Sequence, residues 1–283
     1  MKAIATVSRT NEILKKYGLY AKKGYGQNFI IEPTIVEKIA RLSNVNDQSL
    51  AIEIGPGIGA LTEQLALKSK EVVAYEIDDR LMEVLADTLS EYPNVKVIKK
   101  DFLKVDLKPI MEGFKKDYQE IRVCANLPYY ITTPILFKLF EVKDYLTSIT
   151  VMMQKEVADR FSATTNSESY NALTVIVSYL FDVKVVMKIP KTIFNPKPRI
   201  DSAVVEFIPK KIVDQVSDEN KFFEFVKACF KQRRKTLYNN LKEYLGDNDK
   251  ARELIAFNNF NEKVRAQELS LSQFVRLFES YER

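Results

Sequence analysis

The chain has 283 residues, which is more than one small domain needs and suits an α/β domain with a smaller appendage. It contains no histidine, which excludes Ser-His-Asp and Cys-His catalysis and every zinc site that uses a histidine ligand. Lysine and arginine number 43 against 38 acidic residues, and the resulting net charge of +5 does not by itself indicate a nucleic-acid partner.

The two cysteines, Cys124 and Cys229, are too few for a disulfide framework or a four-cysteine metal cage. Cys124 lies inside an apolar run, which is typical of a small core residue. The N-terminus has no apolar signal region, and no stretch approaches eighteen apolar residues. We therefore expect a cytoplasmic protein without a metal site and without a membrane span.

From about residue 50 the chain alternates short apolar runs with longer helical patterns, as βαβ units around a mainly parallel sheet do. A Pro-rich loop rather than a helix separates the last two predicted strands, so we expect that pair to be antiparallel. The pattern predicts a Rossmann-like α/β fold with a seven-stranded sheet. The predicted strands are Ser49–Ile54, Glu71–Glu76, Val95–Lys99, Ile121–Ala125, Ser148–Gln154, Ser178–Lys188 and Ala203–Ile208.

After Lys211 the pattern changes. Apolar residues recur at helical spacing from Phe222 to Leu245, the following residues continue likewise, and no strand pattern returns. We therefore expect an α/β domain over residues 1–210 and a small all-helical domain over residues 211–283.

The segment Glu53–Gly59 closes the first predicted strand with three glycines, which allow a sharp turn and the close approach of a ligand. Glu76 ends the second strand, where a carboxylate can accept hydrogen bonds from both ribose hydroxyls. Asp101 follows the third strand, placed to reach the adenine end of a nucleoside. The glycine spacing also satisfies the loose dinucleotide fingerprint, so an NAD-binding domain stays an alternative here.

The segment Asn126-Leu127-Pro128-Tyr129 follows the fourth strand, at the sheet edge where open α/β folds bind ligands. An adenine N6 amine is a poor nucleophile because its lone pair is delocalised into the ring. The Asn126 side-chain oxygen and the Leu127 carbonyl could hold its hydrogens and aim that lone pair at a methyl donor. Pro128 would help to point the carbonyl inward, and Tyr129 offers a face for the base.

The simpler interpretation of these four residues is a strand-to-turn junction. Their order, one strand unit beyond an acidic and glycine-rich site, favours methylation of an amine on a nucleic-acid base from S-adenosylmethionine. Positioning would be the main catalytic contribution, which fits the absence of histidine.

With these motifs the chain resembles the small-subunit ribosomal RNA adenine dimethyltransferases of the bacterial KsgA type. The resemblance runs from about Tyr17 to beyond Leu241. The segments that carry it are Lys23–Ile30, Glu53–Gly59, Glu76, Asp101, Asn126–Tyr129, Phe194–Ala203 and Phe230–Leu237.

The resemblance implies dimethylation at N6 of two adjacent adenosines near the 3′ end of 16S rRNA, by a monomer acting on the assembling 30S subunit. It implies that Phe194 sandwiches the target base opposite Tyr129. The residues implied to bind S-adenosylmethionine are Gln27, Asn28, Ile30, Glu53, Gly55, Gly57, Glu76, Ile77, Asp101, Phe102 and Asn126.

Basic residues cluster where such an enzyme would need to contact RNA. Four cations within Lys231–Lys235 crowd a predicted helix and would repel one another unless phosphates or acids are near. A solvated helix face is the simpler interpretation of that cluster. The predicted RNA-binding residues are Lys22, Lys23, Lys197, Arg199, Lys231, Arg233, Arg234 and Lys235.

Three other functions stay open. An erythromycin-resistance methyltransferase, which acts on large-subunit RNA, tends to carry isoleucine where Leu127 stands. A DNA adenine methyltransferase more often has an acidic residue at position 126. A ribosome-assembly or transcription factor could keep the fold with methylation secondary, although Asn126, Tyr129 and Phe194 are all present.

Overall fold

A computed structural model describes residues 2–19, 28–211 and 216–283. Its contacts divide the chain into two compact units. The first comprises Met1–Ala158 and Lys184–Pro209, and the second comprises Asp159–Val183 and Lys210–Arg283.

The described residues form strands from Phe29 to Pro209 and helices from Val7 to Tyr281. The strands are β1 (Phe29–Ile30), β2 (Ser49–Ile54), β3 (Glu71–Glu76), β4 (Val95–Lys99), β5 (Glu120–Asn126), β6 (Ser148–Gln154), β7 (Phe181–Ile189), β8 (Phe194–Asn195) and β9 (Ser202–Pro209). The helices are α1 (Val7–Lys16), α2 (Pro33–Leu42), α3 (Ala60–Ala66), α4 (Asp79–Thr88), α5 (Leu107–Asp117), α6 (Thr132–Phe140), α7 (Lys155–Phe161), α8 (Ala172–Leu180), α9 (Glu219–Cys229), α10 (Leu237–Leu245), α11 (Asn248–Phe257) and α12 (Leu271–Tyr281).

Seven strands form one sheet in the order β4-β3-β2-β5-β6-β9-β7, which confirms the predicted Rossmann-like α/β fold. The first five strands of this order run parallel, and β9 is antiparallel to β6. Ile54 pairs with Tyr75, Glu76 with Lys99, and Asn126 with Met152. The carboxyl ends of β2, β3, β4 and β5 therefore share one edge of the sheet.

The core of the first unit lies on both faces of this sheet. Every residue of β2 is buried, as expected of a central strand covered on both sides. On one side, Val36, Ile39 and Leu65 from α2 and α3 pack in a single apolar cluster with Ala51 of the sheet. Cys124 is also fully buried in that cluster, and burial raises the pKa of its thiol to about 12.

The predicted start of the sixth strand at Ser178 is wrong. Residues 172–180 form α8, and the strand begins at Phe181. Asn171 caps this helix in a reciprocal hydrogen-bond pattern with Thr174. The apolar residues run without interruption across the junction, so their spacing does not mark where the helix ends.

The second unit is helical around an aromatic core. Phe222 and Phe225 of α9 pack edge-on against Phe278 of α12, with ring centroids 5.4 and 5.6 Å apart. Helix α8 contacts α9 and α12, so residues 159–183 group with the C-terminal helices. The predicted domain boundary at residue 210 places these residues in the first domain instead.

The basic residues 231–235 do not lie in a helix, which corrects the sequence interpretation. Helix α9 ends at Cys229, and a turn leads to Thr236, whose side chain caps α10. The buried side chain of Asn240 holds this turn, since its amide donates to the Cys229 carbonyl over 2.8 Å and accepts from the Gln232 amide over 3.0 Å. A buried amide that satisfies the backbone in this way ends the helix where apolar spacing alone predicts that it continues.

Candidate active site

A cleft at the carboxyl edge of the parallel strands encloses about 1060 Å³, counting its open mouth. The predicted site residues that line it are Asn28, Ile30, Glu53, Gly55, Gly57, Glu76, Ile77, Asp101, Phe102, Asn126, Leu127, Pro128 and Tyr129.

The glycine turn after β2 forms one wall of the cleft. Gly57 and Gly59 have φ values of +61° and +92°, a backbone region that other residues rarely adopt. A Cβ at Gly57 would lie 3.4 Å from the Phe29 ring, and a Cβ at Gly59 would lie 3.0 Å from Leu89 Cδ2. Conformation therefore favours glycine at both positions, and at Gly59 the lack of space for a Cβ favours it as well.

Glu76 is buried at the end of β3 with its carboxylate at the cleft. Its oxygens accept hydrogen bonds from the backbone N–H groups of Ile77 and Asp78, each over 2.8 Å, and of Gly57 over 3.3 Å. Burial raises the pKa of the Glu76 carboxyl, and the three backbone donors oppose that shift. The carboxylate is thereby aimed across the turn, toward the glycine wall.

Glu53 is the most deeply buried acid of the cleft, with 1% of its surface exposed. Its Oε2 has no hydrogen-bond partner among the described residues. Burial raises the pKa of this carboxyl to about 8, and the nearby negative charge of Glu76 adds to the shift. Glu53 is therefore an acid that is mostly protonated near neutral pH and has an unused polar atom beside the cleft.

The residues that follow β4 form another wall of the cleft. Asp101 caps a short 3₁₀ turn by accepting a hydrogen bond from the Leu103 N–H over 3.0 Å. Phe102 is buried edge-on against Tyr75, with ring centroids 5.4 Å apart, whereas Ile77 is 46% exposed. This side of the cleft offers one carboxylate between apolar surfaces.

The acceptor segment (Asn126–Tyr129) forms the remaining wall and is held by its neighbours. The Leu127 N–H donates to the Met152 carbonyl over 3.1 Å. The Pro128 carbonyl accepts from the Ile131 N–H over 3.2 Å and from the Thr132 hydroxyl over 3.0 Å. The Tyr129 hydroxyl lies 2.7 Å from the Ser202 hydroxyl.

Two acceptors of this segment have no partner among the described residues. The side-chain amide of Asn126 and the backbone carbonyl of Leu127 form no hydrogen bond there. Asn126 is half-buried and lines the cleft. These oxygens are therefore available to a donor that enters the cleft.

Phe194 does not line the cleft. It is 3% exposed, pairs with Ile30 across the β1–β8 ladder and belongs to the apolar core. Gln27, Lys22 and Lys23, which were predicted to bind cofactor or RNA, lie outside the described residues.

Sequence reasoning missed the hydroxyl contacts that hold the acceptor segment. Ser202 lies 73 residues beyond Tyr129, and only the pairing of β9 with β6 brings it to this edge. The bond from the Thr132 hydroxyl to the Pro128 carbonyl was not predicted either. The spacing of four residues between Pro128 and Thr132 is the one local signal that could have indicated the contact.

The predicted RNA-binding residues divide into two groups. Lys197 and Arg199 are exposed in the loop before β9, and Arg234 and Lys235 are exposed in the turn before α10. Lys231 and Arg233 are exposed as well, but Lys231 pairs with Glu243 at 2.6 Å, and Arg233 donates to the carbonyls of Tyr170 and Ser167. The structure thus gives Lys231 and Arg233 partners inside the second unit.

No cluster of His, Cys, Asp and Glu side chains that could hold a metal ion occurs among residues 2–19, 28–211 and 216–283. In the same part of the chain, no helix combines the length and the apolar character of a membrane span.

The family model described as ribosomal RNA adenine dimethylase matches residues 18–283. The chain is 45% identical to "Ribosomal RNA small subunit methyltransferase A" of Oceanobacillus iheyensis over 99% of its own length and 97% of that protein's. It is 47% identical to the Bacillus mycoides protein of the same name, over 98% and 97% of the two lengths.

Solved structures show the same fold. A dimethyladenosine transferase from Plasmodium falciparum superposes with a TM-score of 0.73 at 25% identity, over 89% of this chain and 97% of the other. The 23S rRNA methyltransferase ErmE superposes with a TM-score of 0.72 at 24% identity, over 90% of this chain and all of the other. The extent and the identity of the sequence matches show that this chain is a methyltransferase of the ribosomal RNA adenine dimethylase family.

Proposed function

We propose that this protein transfers methyl groups from S-adenosylmethionine to N6 of two adjacent adenosines near the 3′ end of 16S rRNA, during assembly of the 30S subunit in the cytoplasm. The observation that carries the proposal is the pair of unpartnered acceptors in the cleft, the Asn126 side-chain amide and the Leu127 carbonyl. The names of the small-subunit relatives support the choice of RNA.

Three features of the cleft suit S-adenosylmethionine. Glu76 can accept both ribose hydroxyls, because its carboxylate is already held by backbone donors in a fixed direction. Gly57 leaves space beside Phe29 that a Cβ would fill. The unpartnered Oε2 of Glu53 can accept from, or donate to, a polar end of the ligand.

The other cofactor contacts are proposed from their positions along the cleft. Asp101 would bind the adenine end, between the apolar surfaces of Ile77 and Phe102. Asn28, Ile30 and Gly55 complete the set. When bound, S-adenosylmethionine supplies an electrophilic methyl group on a cationic sulfur.

The acceptor segment would act by positioning. Asn126 and the Leu127 carbonyl would each accept one hydrogen of the adenine amine, which favours a pyramidal nitrogen whose lone pair faces the donor. Tyr129 would stack on the base, an interaction worth ~1–3 kcal/mol. No side chain needs to act as a strong base, because the alkylated nitrogen readily loses a proton. Phe194 is buried and does not line the cleft, so its sandwich with the base stays a prediction.

RNA contacts are proposed for the exposed cations in both units. Lys197 and Arg199, in the loop before β9, would bind phosphates of the RNA. Arg234 and Lys235, in the second unit, would bind other phosphates. The division of labour between an α/β catalytic domain and a helical RNA-contacting domain stays part of this proposal. We also propose that the protein acts as a monomer.

The proposal is tested by the choice of substrate. Undermethylated small and large ribosomal subunits are incubated separately with the protein and radiolabelled S-adenosylmethionine. We expect label in the RNA of the small subunit and none above background in that of the large subunit. Label confined to the large subunit would favour the erythromycin-resistance activity instead, and label in neither would contradict the proposal.

A further inference from the structure

The hydroxyl pair between Tyr129 and Ser202 links the acceptor segment to the start of β9. Tyr129 is half-buried, and Ser202 is 1% exposed. The distance of 2.7 Å is that of a well-formed O–H···O hydrogen bond.

Ser202 occupies a rigid place in the fold. It opens β9 opposite Gln154, the last residue of β6. The preceding residue, Asp201, accepts from the Lys155 N–H over 3.0 Å through its carbonyl and from the Lys191 N–H over 2.9 Å through its carboxylate. The Ser202 hydroxyl is therefore presented from a backbone that is bonded on several sides.

The hydrogen bond to Ser202 is the contact that holds the side chain of Tyr129 at its far end. The backbone bonds at Leu127 and Pro128 fix the course of the segment, but none of them involves the side chain of Tyr129. A hydrogen bond at the far end of the ring holds the hydroxyl oxygen in place and so restricts the torsion about the Cα–Cβ bond, whereas rotation of the ring about its own long axis leaves that oxygen where it is. A base stacked on that ring would be moved relative to Asn126 by any rotation of it.

We infer that Ser202 is a positioning residue, which fixes where the ring of Tyr129 lies and thereby the place of the target amine beside Asn126. This inference rests on the proposed function and extends it to a residue outside the acceptor segment. The competing interpretation is that the two hydroxyls only satisfy each other's buried polar atoms. The two interpretations differ in whether kcat or only stability depends on the bond.

The test compares Ser202→Ala, Ser202→Thr, Tyr129→Phe and the double variant Tyr129→Phe/Ser202→Ala, with undermethylated small subunits as substrate. Ser148→Ala is the matched control, because Ser148 is equally buried, lies at the opposite end of β6 and also has a hydroxyl hydrogen bond, to Arg122. For each variant, kcat, the KM for S-adenosylmethionine and the melting temperature are measured.

We expect Ser202→Ala and Tyr129→Phe each to lower kcat about 10-fold, as misplacement of a reacting group does, with the KM for S-adenosylmethionine within about 2-fold of wild type. The double variant should be no slower than either single one, because both remove the same bond. Ser202→Thr should restore most of kcat, and Ser148→Ala should lower the melting temperature without lowering kcat.

A kcat near wild type in Ser202→Ala, or losses that multiply in the double variant, would overturn the inference. If Ser202→Ala does not fold, Tyr129→Phe alone tests the inference, because this variant removes the hydrogen bond without leaving a cavity at the strand. An unchanged kcat in Tyr129→Phe would then overturn the inference. A wild-type protein that transfers no methyl group to RNA would overturn the proposed function and this inference together. An active wild type with unaffected variants would overturn the inference only.

Discussion

The guanidinium of Arg233 donates a hydrogen bond to the backbone carbonyl of Tyr170 over 2.7 Å and a second to the carbonyl of Ser167 over 3.1 Å. Arg233 thereby joins the turn before α10 to the segment before α8 within the second unit. Its sequence neighbours Arg234 and Lys235 are exposed and form no ion pair with the described residues. Two adjacent arginines that look equivalent in sequence thus have different surroundings.

We predict that this difference separates RNA binding from stability. Arg234→Gln combined with Lys235→Gln should weaken RNA binding and reduce the salt dependence of log K by roughly 0.7–0.9 for each phosphate that is no longer neutralised, with little change in melting temperature. Arg233→Gln should lower the melting temperature, because it leaves two carbonyls without their charged donor, and should change the salt slope least. Binding titrations over a series of salt concentrations measure the slopes. The prediction fails if Arg233→Gln gives the larger change in slope.

Glu53 predicts a pH dependence of stability whose sign follows from its raised pKa. The pKa is about 8 in the folded protein against an ordinary 4.5, so between these values the folded state holds a proton that the unfolded chain has released. The free energy of unfolding should therefore fall as pH rises through this window, with a slope approaching about 1.4 kcal/mol per pH unit. Glu53→Gln keeps the shape and cannot ionise, so it should remove this component.

Urea unfolding of wild type and Glu53→Gln at several pH values from about 5 to 8 measures the component as the difference between the two proteins. Glu91→Gln, which removes an exposed carboxyl, is the control and should follow the wild type at every pH. Parallel curves for wild type and Glu53→Gln would show that Glu53 does not carry the proton.

The effect of replacing glycine by alanine on stability should differ between Gly59, in the turn after β2, and Gly113, in α5. Gly59→Ala should cost about 1–3 kcal/mol of stability, because φ is +92° and the new Cβ would lie 3.0 Å from Leu89 Cδ2 and 3.2 Å from Thr88 Oγ1. Gly113 is also a glycine of the first unit, but it lies inside α5 with ordinary φ and with no atom near the position of a Cβ. Gly113→Ala should stabilise the protein by roughly 0.5–1 kcal/mol. Equal effects of the two changes, measured by urea unfolding, would contradict the assigned backbone strain.

The arrangement of the sheet and the location of the cleft follow from the sequence because they depend on local patterns. Glu76, Asp101 and Asn126 each stand at or just after an apolar run, and parallel strands bring their carboxyl ends to one edge. Alternation of strands and helices was therefore enough to predict that these residues share a cleft.

The contacts that depend on distant partners do not follow from the sequence in this way. The charge cluster at 231–235 predicts one function, RNA binding, for all its members. In the structure, however, Lys231 donates a hydrogen bond to Glu243, and Arg233 donates one to the carbonyl of Tyr170. Nothing in the spacing of Tyr129 and Ser202 indicates their contact, which needs the antiparallel return of β9. The burial of Phe194 likewise depends on its pairing with Ile30, far away in the chain.

In the proposed reaction, Asn126 and Leu127 hold the N6 amine of each of two neighbouring adenosines in small-subunit RNA. Mass spectrometry of small-subunit RNA after reaction with isotope-labelled S-adenosylmethionine measures this directly, with wild type and Asn126→Ala side by side. Oligonucleotide fragments locate the methylated bases, and digestion to nucleosides counts the methyl groups on each. For wild type we expect two labelled N6,N6-dimethyladenosines per RNA molecule, adjacent and near the 3′ end. For Asn126→Ala we expect none, although that variant still binds S-adenosylhomocysteine. Near-normal dimethylation by Asn126→Ala, or label on another base, would contradict the proposed role of Asn126 and Leu127.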